Sequence, residues 1–213
     1  KMRRLPDDRM LDQLLTGGKV TILDVERLAE RIASFHAASE TSPDIDIYGT
    51  LRVIVQNWHE NFEQVHPFIG RWITHSQYAQ TYGFVGREIE RLAAVFEQRI
   101  SDGRIRDCHG DLRSESVWMD EAGNFQVFDC IEFNDRFRYG DVASEVAFLA
   151  SDLDWRGRPD LAWIWVEAYV AASGDRGLLD VLPFYKCYRS FVRGKVEALS
   201  LIHISEPTRQ AEI

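Results

Sequence analysis

Residues 104–141 read RIRDCHGDLRSESVWMDEAGNFQVFDCIEFNDRFRYGD, and the fold is read from this stretch outward. A short strand over 104–108 leads into His109-Gly110-Asp111. Two further β-like runs, 117–119 and 125–128, are joined by DEAGN at 120–124, with Gly123 where a hairpin wants a positive φ. Asp129 follows the last run. The two carboxylates, 18 residues apart, thus stand at the ends of separate strands, where a side chain enters a cleft while its backbone stays held. They can converge on one Mg²⁺ and one hydroxyl, as phosphoryl transfer requires: one acid orients the attacking oxygen and the other holds the metal.

Around this stretch the apolar spacing is helical. A short helix is expected over 7–15, with Asp7 and Asp8 in its first turn and Gly17-Gly18 after it. A longer one over 21–39 carries the stripe Leu23, Val25, Leu28, Ile32 and Phe35, and His36 follows as a satisfied structural histidine. Residues 41–44 read as a loop. The run 49–68 carries a helix with Leu51, Ile54, Val55, Trp58 and Phe62 on one face and His59 and His66 on the surface. Residues 72–100 form a helix or helix pair, with Gly83 as the possible break, a core stripe of Ile89, Leu92, Ala93, Phe96 and Ile100, and a Glu88–Arg91 pair on the wet face. Three more helices are expected over 139–153, 158–172 and 178–199, the second with Trp163, Trp165, Val166 and Tyr169 as its bulk.

The 213 residues fit one domain or one large lobe, and the net charge of −9 (pI about 5.2) argues against nucleic acid as a partner. Cys108, Cys130 and Cys187 are odd in number and widely spaced, which suits free thiols in a reducing cytoplasm. Cys108 and Cys130 read as small buried residues. No run is apolar enough to suggest a membrane span, and neither a signal peptide nor a membrane partner is expected.

H-G-D-L at 109–112, followed 18 residues later by F-D-C-I-E-F at 128–133, resembles the catalytic loop and metal-binding segment of the aminoglycoside phosphotransferase / choline kinase-like group. The longer run from Cys130 to Asp154 is similar to bacterial aminoglycoside-phosphotransferase-like proteins often fused to a downstream P-loop kinase domain. The resemblance covers residues 1–198 and implies an α+β, mostly α fold: the C-terminal lobe of a protein-kinase-like architecture with a small β-hairpin at the active site. It implies ATP and Mg²⁺ as cofactors and a small-molecule hydroxyl as acceptor. Asp111 would accept or orient the hydroxyl proton, or, on a plainer reading, cap the following turn. Arg113 would meet the transferred phosphate, or else pair with Glu115. His109, Gly110 and Asp141 would support the loop, Asp141 by accepting backbone hydrogen bonds. Asp129 would hold Mg²⁺. Ser116 stands where the wider kinase pattern has a metal-binding Asn, so that ligand is weakened or replaced by Glu115 or Glu132. Asn134, Arg136 and Arg138 would line the acceptor pocket, the arginines holding an anionic acceptor.

Lys1 and the residues after it read as the hinge between two lobes, the first lobe with its phosphate-gripping lysine being absent. Residues 199–209, LSLIHISEPTR, coincide with a translation of transposase-adapter DNA from sequencing libraries, so 199–213 is expected to be a non-native tail. Such a fragment would be inactive alone. Two other readings stand beside the phosphotransferase: a kinase-like module that binds a nucleotide or partner without catalysis, motivated by Ser116, and a metal-dependent hydrolase built on His109, Asp111 and Asp129.

Overall fold

The computed structural model describes residues 6–205. The expectations placed on 1–5, including the hinge at Lys1, and on 206–213 lie outside the described residues. A single 3-10 turn, Asp7–Arg9, precedes helix α1 (Leu11–Thr16). These were expected as one helix. Met10 interrupts it, because its extended backbone bridges to Trp118 of the later hairpin. Helix α2 (Ile22–Ala38) starts on a reciprocal cap: Thr21 Oγ1 accepts from the Asp24 amide at 3.2 Å, and the Asp24 carboxylate accepts from the Thr21 amide at 2.9 Å. Its buried face is Val25, Leu28, Ala29, Ile32, Ala33 and His36, while Leu23 and Phe35 are exposed. The stripe is rotated from the expected one because α2 lies closely along a later helix, where the two alanines permit the approach.

The expected loop at 41–44 instead enters a one-turn helix, α3 (Pro43–Asp46), with Ser42 capping the Ile45 amide and Pro43 in the first turn. Helix α4 (Leu51–Val65) buries Ile54, Trp58 and Phe62 as anticipated, but Val55 faces out and Val53 and Asn61 face in. Helix α5 (His75–Ser101) is one unbroken element that starts three residues late, at a Thr74/Gln77 capping box, and Gly83 does not break it. The Glu88–Arg91 pair forms at 2.6 Å.

Then come β1 (Ile105–Asp107), β2 (Val117–Met119), β3 (Phe125–Val127), α6 (Asp135–Arg138), β4 (Tyr139–Asp141), α7 (Val142–Trp155), α8 (Pro159–Ser173) and α9 (Leu178–Ser205). The hairpin β2–β3 pairs Val117 with Val127 and Met119 with Phe125. Strand β4 was expected to be the start of a helix. It pairs antiparallel with β1, Ile105 opposite Asp141 and Asp107 opposite Tyr139. That pairing closes residues 104–141 into a loop held at both ends. Helix α9 runs to Ser205, past the expected end at 199.

The chain is mostly helical with two small antiparallel pairs, an α+β arrangement. Helix α7 is buried on nearly every side, α8 and α9 pack on it, α2 packs on α8, and α4 and α5 pack on α9. Trp165 is fully buried and its indole donates to the Val146 carbonyl at 2.9 Å, whereas Trp163 is exposed. Among the described residues no helix is long and apolar enough to cross a membrane.

One buried ion group ties these layers together. The Arg99 guanidinium on α5 grips Asp141 through Nε (2.6 Å) and Nη2 (2.7 Å), and Asp175 through Nη1 (3.0 Å) and Nη2 (2.9 Å). Burial alone would lower the pKa of Arg99; the two carboxylates outweigh it and raise the value. Removing the cation would leave two carboxylates in the core. Arg99→Met is expected to cost about 3–5 kcal/mol in chemical denaturation; a loss below about 1 kcal/mol would show that water reaches the pair.

Candidate active site

The segment 109–116 turns sharply at Gly110, whose φ is +87°. A Cβ there would stand 2.8 Å from the Phe137 carbonyl oxygen, so both the conformation and the space require glycine. The amides of His109 and Gly110 donate to the two oxygens of Glu145, at 3.1 and 2.7 Å. Two turns along α7, Asp152 accepts from the Ser114 amide at 3.0 Å and from its hydroxyl. The loop is thus fastened to one face of α7 at two points seven residues apart.

Loop anchoring had been assigned to Asp141. The structure gives it to Glu145 instead: Asp141 caps α7 at the Ala143 amide (2.8 Å) and spends its remaining capacity on Arg99 and the Tyr185 hydroxyl. Glu145 also binds His36 Nε2 at 2.6 Å, and the other nitrogen of His36 meets the Tyr169 hydroxyl at 2.7 Å. His36 is therefore a satisfied buried residue. Burial pushes the Glu145 carboxyl up, but His36 and the His109 amide more than offset this and hold it below its ordinary value.

His109 joins the two halves of the site. Its Nδ1 accepts from the Asp111 amide at 3.3 Å, which leaves Nε2 to donate to the Phe128 carbonyl at 2.8 Å. The Phe128 amide donates to the Ser116 carbonyl (3.1 Å), and the Ile131 amide to the His109 carbonyl (3.0 Å). Asp129 is therefore flanked by residues laced to the loop. It has φ +64°, the one non-glycine residue with positive φ among those described, and its exposed carboxylate makes no hydrogen bond or ion pair there. Backbone strain of this kind collects at functional positions.

Asp111 is about one-third exposed and takes a two-pronged contact from Arg113, Nε to Oδ1 and Nη2 to Oδ2, both 3.0 Å. Arg113 also pairs with Glu115 at 2.6 Å. Ser116 is buried, with its hydroxyl bonded to the backbone of Asp111 and Arg113 (2.8–3.1 Å), so it braces the turn and does not point outward as a ligand. Asn134 caps α6 through the Arg136 amide at 3.0 Å. Arg136 pairs with Glu60 at 2.7 Å, and Arg138 with Asp107 at 2.8 Å.

A cleft of about 370 Å³ opens beside the loop, lined among others by Asp111, Arg113, Arg136, Tyr188, Arg189 and Lys195. A second cavity, about 430 Å³, lies across the loop against α2 and includes His109 and Cys130. Asp129, Glu132 and Asn134 line neither. Cys130 is exposed, not buried as expected, because it follows the strained Asp129 on the outer side of the segment.

The chain is 31% identical over 198 residues to the uncharacterized proteins Mb2027c of Mycobacterium bovis and MT2060 and Rv2004c of Mycobacterium tuberculosis, a match covering 93% of this chain. It spans about 40% of the length of each. No family model matches the chain, and no solved structure matches it.

His36, Cys108 and Glu145 place their ligand atoms within 4.8 Å of one another. All three are hydrogen-bonded already, Cys108 to the Gly140 carbonyl, and burial raises the Cys108 thiol pKa well above its ordinary value. The group is a core knot behind the loop.

Glu145 and Asp152 were the residues that sequence reading missed. A faint signal existed: Glu145 and Asp152, seven apart, fall among the apolar residues of a mostly apolar helix. Glu145→Gln keeps the shape but supplies one acceptor oxygen for two loop amides. It should cost about 2–4 kcal/mol at pH 7. Because the folded pKa of Glu145 lies below the unfolded value, its contribution is complete above about pH 4.3 and is lost as pH falls through the folded value. The gap between native and variant melting curves should therefore narrow as the pH is taken down below about 4.3. A gap independent of pH would show that the charge does not matter.

Proposed function

We propose that this chain carries the catalytic loop and metal-binding segment of an ATP- and Mg²⁺-dependent phosphotransferase, in the larger lobe of a kinase-like fold, acting on a small-molecule hydroxyl. The observation that carries the reading is Asp111 at the edge of a 370 Å³ cleft, on a loop laced by His109 to the segment of an uncommitted, left-handed Asp129. Hard carboxylate oxygens with no protein partner suit Mg²⁺, and Asp129 would hold it. When bound, that ion would neutralise charge on the nucleotide phosphates.

The remaining roles belong to the chain's own residues. Asp111 orients the acceptor hydroxyl and takes its proton as the oxygen attacks the γ-phosphorus. The bond from that phosphorus to the β-bridging oxygen breaks, ADP leaves, and Asp111 returns the proton to water. Arg113 holds the carboxylate in a fixed plane before the reaction, and its fork can exchange one oxygen of Asp111 for one of the transferred group. A kinase-like binding module without catalysis is the second reading, favoured by Ser116, whose hydroxyl is consumed by the loop backbone. The hydrolase reading loses support, since both ring nitrogens of His109 are hydrogen-bonded within the protein.

The greater length of the mycobacterial relatives leaves room for the nucleotide-gripping lobe and the fused P-loop kinase domain that we propose for the whole protein. Free thiols at Cys108, Cys130 and Cys187 support a cytoplasmic setting.

In the full-length protein, Asp111→Asn should lower ADP release with acceptor by about 100- to 10 000-fold while leaving the melting curve in place. Asp129→Asn, or chelation of Mg²⁺, should abolish transfer. Transfer undiminished in Asp111→Asn would sink the assignment; nucleotide binding without turnover in the unaltered protein would establish the second reading.

A further inference from the structure

The charges around the cleft do not balance. Arg113, Arg136 and Arg138 have carboxylate partners within 3.0 Å: Asp111 and Glu115, Glu60, and Asp107 respectively. Arg193 is paired with Asp152 and Glu197. The acids that line the cleft are equally committed: Asp141 to Arg99, Glu145 to His36 and the loop amides, Glu197 to Arg193.

Two cations are left over, both on α9. Arg189 lies over the Phe148 ring at 4.9 Å and donates to the Ser144 hydroxyl (2.9 Å) and the Gly110 carbonyl (3.1 Å). Lys195 donates to the side-chain carbonyls of Asn61 (2.6 Å) and Gln64 (2.7 Å). Neither has a carboxylate within ion-pair distance among the described residues. Glu60, whose charge acts on Lys195, is in direct contact with Arg136 instead.

An ammonium half-withdrawn from water and met only by neutral oxygens is incompletely compensated. Its lowered pKa, caused first by burial, agrees with that geometry. Arg189 touches the carbonyl next to Asp111, and six residues of helix separate it from Lys195, a rise of about 9 Å. The cleft is thus lined both by the Asp111 carboxylate, held by Arg113, and by a cation with no carboxylate partner, Lys195.

We propose that the acceptor is an anionic alcohol, its phosphate or carboxylate seated on Lys195, with Arg189 lining the path to Asp111. The inference rests on the phosphotransferase reading for the hydroxyl end only. A polycationic acceptor would meet Arg189 and Lys195 unpaired and be repelled by both.

The test uses the full-length protein and four probes on one skeleton: glucose 6-phosphate, gluconate, glucose and glucosamine. Binding is measured by calorimetry and transfer, separately, by ADP release. At least one anion should bind about tenfold or more tightly than glucose, the scale of a charge-assisted hydrogen bond, with glucosamine weakest. Whether the phosphate or the carboxylate leads identifies the headgroup. Lys195→Met should erase the advantage over glucose and raise the KM of the anion more than it lowers kcat, and Lys195→Arg should restore it.

The proposal is overturned if neither anion binds at millimolar concentration or if glucosamine binds best. It is overturned equally if Lys195→Met weakens glucose and the anions alike, as a merely structural tie between α9 and α4 would. Anion preference with transfer undiminished in Asp111→Asn would uphold this inference and remove the catalytic assignment; transfer lost in Asp111→Asn, but given only to neutral or cationic probes, would do the reverse.

Discussion

The carboxylate of Glu145 is the constraint on which the site depends. It sits in the core of an almost wholly buried helix and receives a histidine and two consecutive backbone amides. A buried anion is tolerable only when its lone pairs are filled, and the loop at 109–110 is one of the few things that can fill them. The dependence runs both ways. The loop cannot leave without stranding a charge, and the charge is tolerable only with the loop in its left-handed turn at Gly110. Asp152 repeats the device at Ser114. Between these clamps Asp111 is held at the cleft without being buried itself.

Arginine does most of the remaining positioning. Arg99 draws β4 and the α8–α9 connection onto α5, which sets where α9 starts and which of its faces lines the cleft. Arg136 and Arg138 fasten the segment after Asp129 to α4 and β1. Both line the cleft, where they were expected, but carboxylates on adjacent elements take their charge. Positive charge in the cleft comes instead from Arg189 and Lys195. The acidic chain as a whole and its cationic cleft are compatible because most of the acids lie on outer surfaces or are already paired.

Sequence alone marked out the candidate loop and the segment that follows it. His109, Gly110, Asp111 and Asp129 are local signals: a glycine that only a positive φ explains, a hairpin with its turn residues in place, and acids directly after short strands. Helix existence was legible for the same reason, since the apolar period of α2, α4 and α5 is written into consecutive residues and the Thr21 cap is a four-residue pattern.

Tertiary structure decided what periodicity cannot encode: which way each helix is turned and which charges meet. Leu23 and Val55 fit a stripe but face water, because close approach to α8 selects Ala29 and Ala33 and packing against α9 brings Asn61 inward. Strand β4 forms because β1, more than 30 residues earlier, supplies its hydrogen bonds. The choice of Glu145 over Asp141 as the loop anchor, and of Lys195 over Arg136 as the unpaired cation, turns on partners 35 to 134 residues away. Charge pairing over such distances is a property of the folded surface, because an isolated ion pair in water is worth almost nothing until the fold excludes the water around it.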